Sequence, residues 1–331
     1  MARNLFAQHL PTAPVPAPIE GTGRDRAVGV GLMLTAATST QFGASFGALA
    51  FPAIGPVGVV AVRQWVAAIV LGAAARPKFW RFRASQWRPI LVLAFTFMLM
   101  NLCVYVAINR IGLGLTITLE FLGPLAIALF GSKRLRTVLC GIAAGVGVVV
   151  LVRPGATDDY LGVAVALVAA VCWAVYIFAN RAVGQRLPGV EGSATAAGIS
   201  GLAYLPTGIF VLVNSELTLP VVVYDLLAGV LSSGVPYFVD VIALRLVPAH
   251  FFGVFMSVQP ILAALVGMFM LGERLDLTSW IAMLVIVAAN AVAVTATPRV
   301  SGPKWVDARR PRGEGKSSAT PAVHNVAGNN G

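Results

Sequence analysis

The chain has 331 residues, 58% of them hydrophobic and 11% charged, with a formal net charge of +11. Soluble domains carry roughly 25% charged residues, so this composition excludes an ordinary soluble fold. The apolar residues gather in segments of about 20, the length that crosses a hydrocarbon core about 30 Å thick.

Residues 1–27 read as a disordered cytoplasmic tail. The stretch Pro11-Thr12-Ala13-Pro14-Val15-Pro16-Ala17-Pro18 cannot form the apolar helix of a signal peptide and is extended instead. Ten spans follow, near 28–50, 57–75, 89–109, 111–131, 137–152, 161–181, 193–213, 221–243, 249–271 and 278–297. A Gly-, Ser-, Pro- and Arg-rich tail, 298–331, ends the chain and also reads as disordered. The expected fold is an all-α polytopic membrane protein of ten transmembrane helices. With the N-terminus in the cytoplasm, the inner segments hold 20 Lys and Arg, and the outer loops hold 3, Arg110, Arg153 and Arg274. That asymmetry places both termini in the cytoplasm, in the inner or plasma membrane. The basic excess is therefore an orientation signal and a contact for anionic lipid, not a nucleic-acid footprint.

The spans carry polar residues at helical spacing, so each set shares a face. Thr38, Gln41 and Ser45 line up in the first span, and Asn101 and Tyr105 in the third. Thr116, Glu120 and Pro124 form one line in the fourth. Trp173, Tyr176 and Asn180 do so in the sixth, and Ser233, Tyr237 and Asp240 in the eighth. Gln259 precedes Pro260 in the ninth. Arg63, inside the second span, could neutralise a carboxylate, hold a substrate carboxylate or snorkel outward. The short fifth span is bracketed by Arg136 and Arg153 and relies on snorkelling or thinning. Gly43 with Gly47 and Gly141 with Gly145 match the small-residue contact motif. Its expected use is packing within one copy, with a homodimer as the alternative. Cys103, Cys140 and Cys172 lie in spans without metal-ligand spacing, and no cofactor is implied.

Glu120 is the most telling of these residues. It lies about nine residues from either end of its span, roughly 14 Å at 1.5 Å per residue, too deep to snorkel. A carboxylate at that depth marks a functional site, and Pro124 four residues on frees a backbone carbonyl. Shifting the chain by 136 residues lays Pro124 over Pro260, with Ala, Leu and Gly also coinciding nearby. Five spans per half is an odd number, so the second half (161–297) must be inverted relative to the first (28–152). Inverted repeats with broken helices at matching positions put a transporter's site at the midplane.

These residues resemble the EamA-type members of the drug/metabolite transporter superfamily, over about residues 30–297. The resemblance rests on Gly43-Ala44-Ser45, Phe51-Pro52, Gly58 and Arg63. It continues in Leu119-Glu120-Phe121-Leu122-Gly123-Pro124, Cys172-Trp173-Ala174-Val175-Tyr176, Pro236-Tyr237, Met256-Ser257, Pro260 and Leu271-Gly272-Glu273. It implies two inverted five-span repeats and export of a small metabolite, with a subgroup handling neutral amino acids such as threonine and homoserine. The chain departs at Gln259, which stands where that subgroup looks acidic.

The leading expectation is a proton-coupled exporter of small neutral amino acids, because no P-loop or other nucleotide signature is present. Glu120 is the natural proton carrier. An exporter of another metabolite or drug class is the alternative. An intramembrane enzyme is the remote one. Tyr224-Asp225 matches half of an aspartyl protease signature, but Gly112-Leu113-Gly114 is followed by Leu115 where the other half needs Asp. His9, His250 and His324 lie in tails or at a span edge, and no HExxH helix exists.

Overall fold

The computed structural model describes residues 23–131, 135–152, 158–187, 190–236, 239 and 257–296, and every regular element among them is helical. In chain order these are α1 (Gly23–Ala75), a 3-10 turn (Phe79–Arg81), α2 (Ala84–Ile111), α3 (Leu113–Glu120) and α4 (Leu122–Gly131). Next come α5 (Leu135–Leu151), α6 (Tyr160–Gly184), α7 (Glu191–Ala203) and α8 (Leu205–Asn214). Then α9 (Leu219–Gly229) runs into a π-helical turn (Val230–Gly234), followed by α10 (Gln259–Met270) and α11 (Leu277–Ala296). Helix occupies most of the described part of each of the ten expected segments. By length and composition α1, α2 and α6 can cross a membrane, and α7 with α8 makes a fourth span if taken together. The remaining apolar helices are shorter.

The helices break where sequence chemistry dictates. Gly55, at φ 65° and ψ 170°, divides α1 between the expected first and second spans. That backbone suits glycine, and Pro52 and Pro56 on either side remove helical donors. Gly112, at φ 83°, both ends α2 and starts α3, so these two helices join through one residue. The segment 193–213, expected as one span, is instead two helices bent by 45° at Tyr204. Pro206, in the first turn of α8, cannot continue the hydrogen-bond ladder of α7, and this accounts for the bend.

Besides a buried cluster that joins α2, α6 and α7 around Leu93, Ala179 and Ala196, two larger ones hold the bundle. One joins α1 to α2, α3 and α10 around Val59, Ala61, Tyr105, Leu113 and Ala263. The other joins α5 to α11 around Ala144, Met283 and Ile286. Close approach depends on glycine: a Cβ on Gly47 would lie 2.7 Å from Tyr105, and one on Gly147 would lie 2.8 Å from Ile286. A Cβ on Gly43 would strike Ser232, so both glycines of the first small-residue motif pack inside the monomer. Val149, Phe210, Val213 and Phe269 are mostly exposed, the apolar exterior of a lipid-facing bundle.

The two ends of the bundle are tied separately. At one end of α2, Gln86 Nε2 donates to the Arg186 carbonyl at 2.8 Å. At the other end of α2, Arg110 pairs with Asp159 at 2.9 Å. These are the loops that the charge count had sorted into inner and outer sets.

Candidate functional site

Glu120 is the last residue of α3, and a turn residue, Phe121, separates it from α4. Pro124 has no N–H, so the Glu120 carbonyl lacks its usual helical donor. The Glu120 side chain is 7% exposed and lies on the wall of a cavity of about 230 Å³. Drug-sized pockets run from about 300 to 1,000 Å³, so this volume suits a metabolite of few heavy atoms.

Besides α3, which carries Glu120, five elements build the wall. Gln41 and Arg63 come from the two arms of α1, Asn101 and Tyr105 from α2, Trp173 and Tyr176 from α6, Ser232 from the π turn, and Gln259 from α10. Arg63 lies 5.2 Å from the centre of the Tyr105 ring, a cation held over an aromatic face. Arg63 thus lies on the cavity wall. Arg63 and Glu120 share the wall without an ion pair between them; among the described residues the only ion pair is Arg110 with Asp159.

The uncharged groups are oriented by their neighbours. Phe121 holds Trp173 edge-to-face with centroids 4.6 Å apart, and Phe97 meets Tyr176 at 5.5 Å. Asn101 Nδ2 donates to the Phe97 carbonyl at 2.8 Å. Gln41 Nε2 donates to Gln259 Oε1 at 3.4 Å, while its own Oε1 is buried without a partner. A second chamber of about 250 Å³ shares Arg63, Asn101, Tyr176 and Ser232 with the first and reaches Leu71 and Ser233. It extends the cavity toward the end of the bundle that carries Gln86.

Not every expected residue reaches the wall. Ser45 and Thr116 are fully buried but off it, and Thr116 Oγ1 donates to the Gly112 carbonyl at 2.7 Å. Thr38 lines a separate groove, and Asn180 accepts from Ser193 Oγ at 3.0 Å, joining α6 to α7. Tyr237 and Asp240 lie outside the described residues. Sequence spacing overlooked Thr40, Phe97, Met100 and Ser232. Ser232 was overlooked because the π turn breaks the i, i+4 register on which the Ser233 stripe depended. Among the described residues no three His, Cys, Asp or Glu side chains come together as a metal site.

A second carboxylate sits at the start of α3. Glu273 accepts from the Leu113 amide at 2.5 Å and the Gly114 amide at 3.2 Å, capping the start of α3 from the turn after α10. Burial pushes the Glu273 carboxyl above its ordinary range, and the two amides oppose that shift. Gly112 and Gly267 leave room for it, since a Cβ on either would collide with the carboxylate.

A helical bundle with a lipid-facing apolar exterior and a small interior cavity bearing both signs of charge is the architecture of a membrane transporter. Comparison with known proteins gives the particular kind. The model of the EamA-like transporter family matches residues 160–295. Threonine/homoserine exporter RhtA of Salmonella typhimurium strain LT2 is 34% identical over 284 residues, covering 84% of this chain and 95% of that protein. The RhtA of Escherichia coli strain K12 is 34% identical over 282 residues, 83% of this chain and 94% of that protein. A crystal structure titled only as that of a protein matches with a TM-score of 0.56 at 19% identity, over 84% of this chain and 99% of that one, a likeness of fold. The chain belongs to the EamA-like transporter family, and it is a transporter, not an enzyme.

Proposed function

We propose that this protein exports small neutral amino acids of the threonine and homoserine kind, driven by protons that bind at Glu120. The observation that carries the reading is the pairing of opposite charges on one wall. Glu120 and Arg63 line the same 230 Å³ space without forming an ion pair. An amino-acid zwitterion satisfies both, its ammonium at Glu120 and its carboxylate at Arg63. Gln41, Asn101 and Gln259 then meet a polar side chain, and Trp173 and Tyr176 cover its apolar part. The names of the RhtA relatives agree with this substrate class.

Ten spans as two inverted repeats fit the same reading. Trp65 Nε1 donates to the Gly201 carbonyl across a separation of 136 residues, the offset that superimposes Pro124 on Pro260. Gly147 packs on Ala282 and Ile286, close to the same offset. Equivalent helices meeting face to face is what a two-fold relation produces. The Lys and Arg count puts the Gln86 end, toward which the cavity extends, in the cytoplasm.

The test is efflux. Cells expressing the protein are preloaded with labelled amino acids, and loss of label is followed. Threonine and homoserine should leave faster than in empty cells, while lysine and glutamate should not. Equal efflux of all four, or of none, would refute the substrate class.

A further inference from the structure

We propose that Asp225 is a second proton-binding site, separate from the Glu120 cavity. Asp225 lies on α9, is 4% exposed, and has a buried Oδ1 without a hydrogen-bond partner. It lines a different cavity, of about 260 Å³, between α8, α9 and the second arm of α1, walled by Val62, Trp65, Leu212, Leu217 and Val221. The other lining side chains offer it nothing polar, for Trp65 Nε1 already donates to the Gly201 carbonyl at 3.0 Å.

The charged and titratable groups nearby face elsewhere. On α1, Arg63 follows Val62 in the chain but lines the Glu120 cavity, over the Tyr105 ring. On α9, Tyr224 stacks with Phe46 at 6.0 Å between centroids. In the turn before α9, Glu216 is exposed, and α8 contributes only Leu212.

The chemistry of the donor set narrows the ligand. A hard metal cation needs six or more oxygens, and this cavity offers one carboxylate. A primary ammonium brings three donors, of which apolar walls would leave two unmet. A proton needs one oxygen and removes the cost of burying a bare charge. Leu217, exposed in the turn before α9, bounds the cavity. The inference goes beyond the Glu120 mechanism and does not depend on it.

Dicyclohexylcarbodiimide tests it directly. This apolar reagent adds to a protonated carboxyl and leaves an N-acylurea that mass spectrometry locates. Purified full-length protein with Glu120→Gln should be labelled at residue 225, with a yield that falls several-fold between about pH 6 and about pH 9. Asp225→Asn should abolish that label, and Asp225→Glu should restore it in a protein that elutes from size exclusion as wild type does. No label at residue 225 in folded protein at any pH in this range, or a yield flat across it, would overturn the proposal. The readout stands whether or not amino acids are exported, so its failure is distinct from failure of the efflux test.

Discussion

Glu120 and Arg63 bring opposite charges to one cavity, and their loss should be felt differently. Glu120→Gln keeps the shape of the side chain and removes its titration. In proteoliposomes this variant should lose export driven by a pH gradient while retaining exchange of amino acid across the membrane. Wild-type gradient-driven rates from about pH 6 to about pH 8 would remove Glu120 from the coupling step. Arg63→Met removes the partner of the substrate carboxylate. A hydrogen bond to a charged group contributes about 1.5–3 kcal/mol, so KM should rise by roughly ten- to a hundredfold, as measured in initial-rate assays. Glu120 was legible in the sequence because a carboxylate nine residues inside an apolar span has few explanations. Arg63 was not, since three uses were compatible with its depth. Its place beside Tyr105, on another helix, came only from the structure.

Helix ends are where pH should act on the elements. Asp159 caps α6 by accepting from the Gly162 amide at 2.8 Å, and that amide together with Arg110 holds its carboxyl below the usual range. A lowered folded value means stability that is present above the ordinary carboxylate range and lost as pH falls through it. Glu273 has the opposite sign. Its value is raised, chiefly by burial, so its contribution is present in acid and declines as pH rises through the folded value. Thermal unfolding in detergent should show this: relative to Glu273→Gln, the wild type should lose stability with rising pH. Relative to Asp159→Asn, it should gain. Gly267→Ala places a methyl against the Glu273 carboxylate and should destabilise by about 1–3 kcal/mol, read as a lower Tm. The caps show what single-sequence reading misses. Leu271-Gly272-Glu273 stood out only through the family resemblance, because its partners lie in another helix. Pro206, by contrast, was visible, but a continuous apolar run masked the bend it makes.

At the scale of the molecule, orientation is the exposed claim. Cysteines introduced at Phe79 or Trp80, both exposed in the turn between α1 and α2, should react with impermeant reagents only from the cytoplasmic side. Labelling from outside would invert the assignment of both chambers. The helical, apolar character of the chain was legible from its composition and the lengths of its apolar runs. How helices far apart in the chain pack together was not, because apolar helices carry little pairing information in sequence. Trp65 meets Gly201, Gly114 meets Ala264, and Gly147 meets Ile286. The Glu273 cap adds a temporal consequence to this packing. The amides of Leu113 and Gly114 receive their acceptor from a residue 160 and 159 positions later in the chain. At about 5–20 residues per second of synthesis, roughly 8 to 30 s pass before that carboxylate exists. For that interval the start of α3 sits in the membrane uncapped, and the insertion machinery or lipid headgroups must shield it. Stalling translation just before residue 273 should therefore leave a nascent chain whose first five segments are inserted yet open to protease at residues 110–114, and releasing the stall should close them.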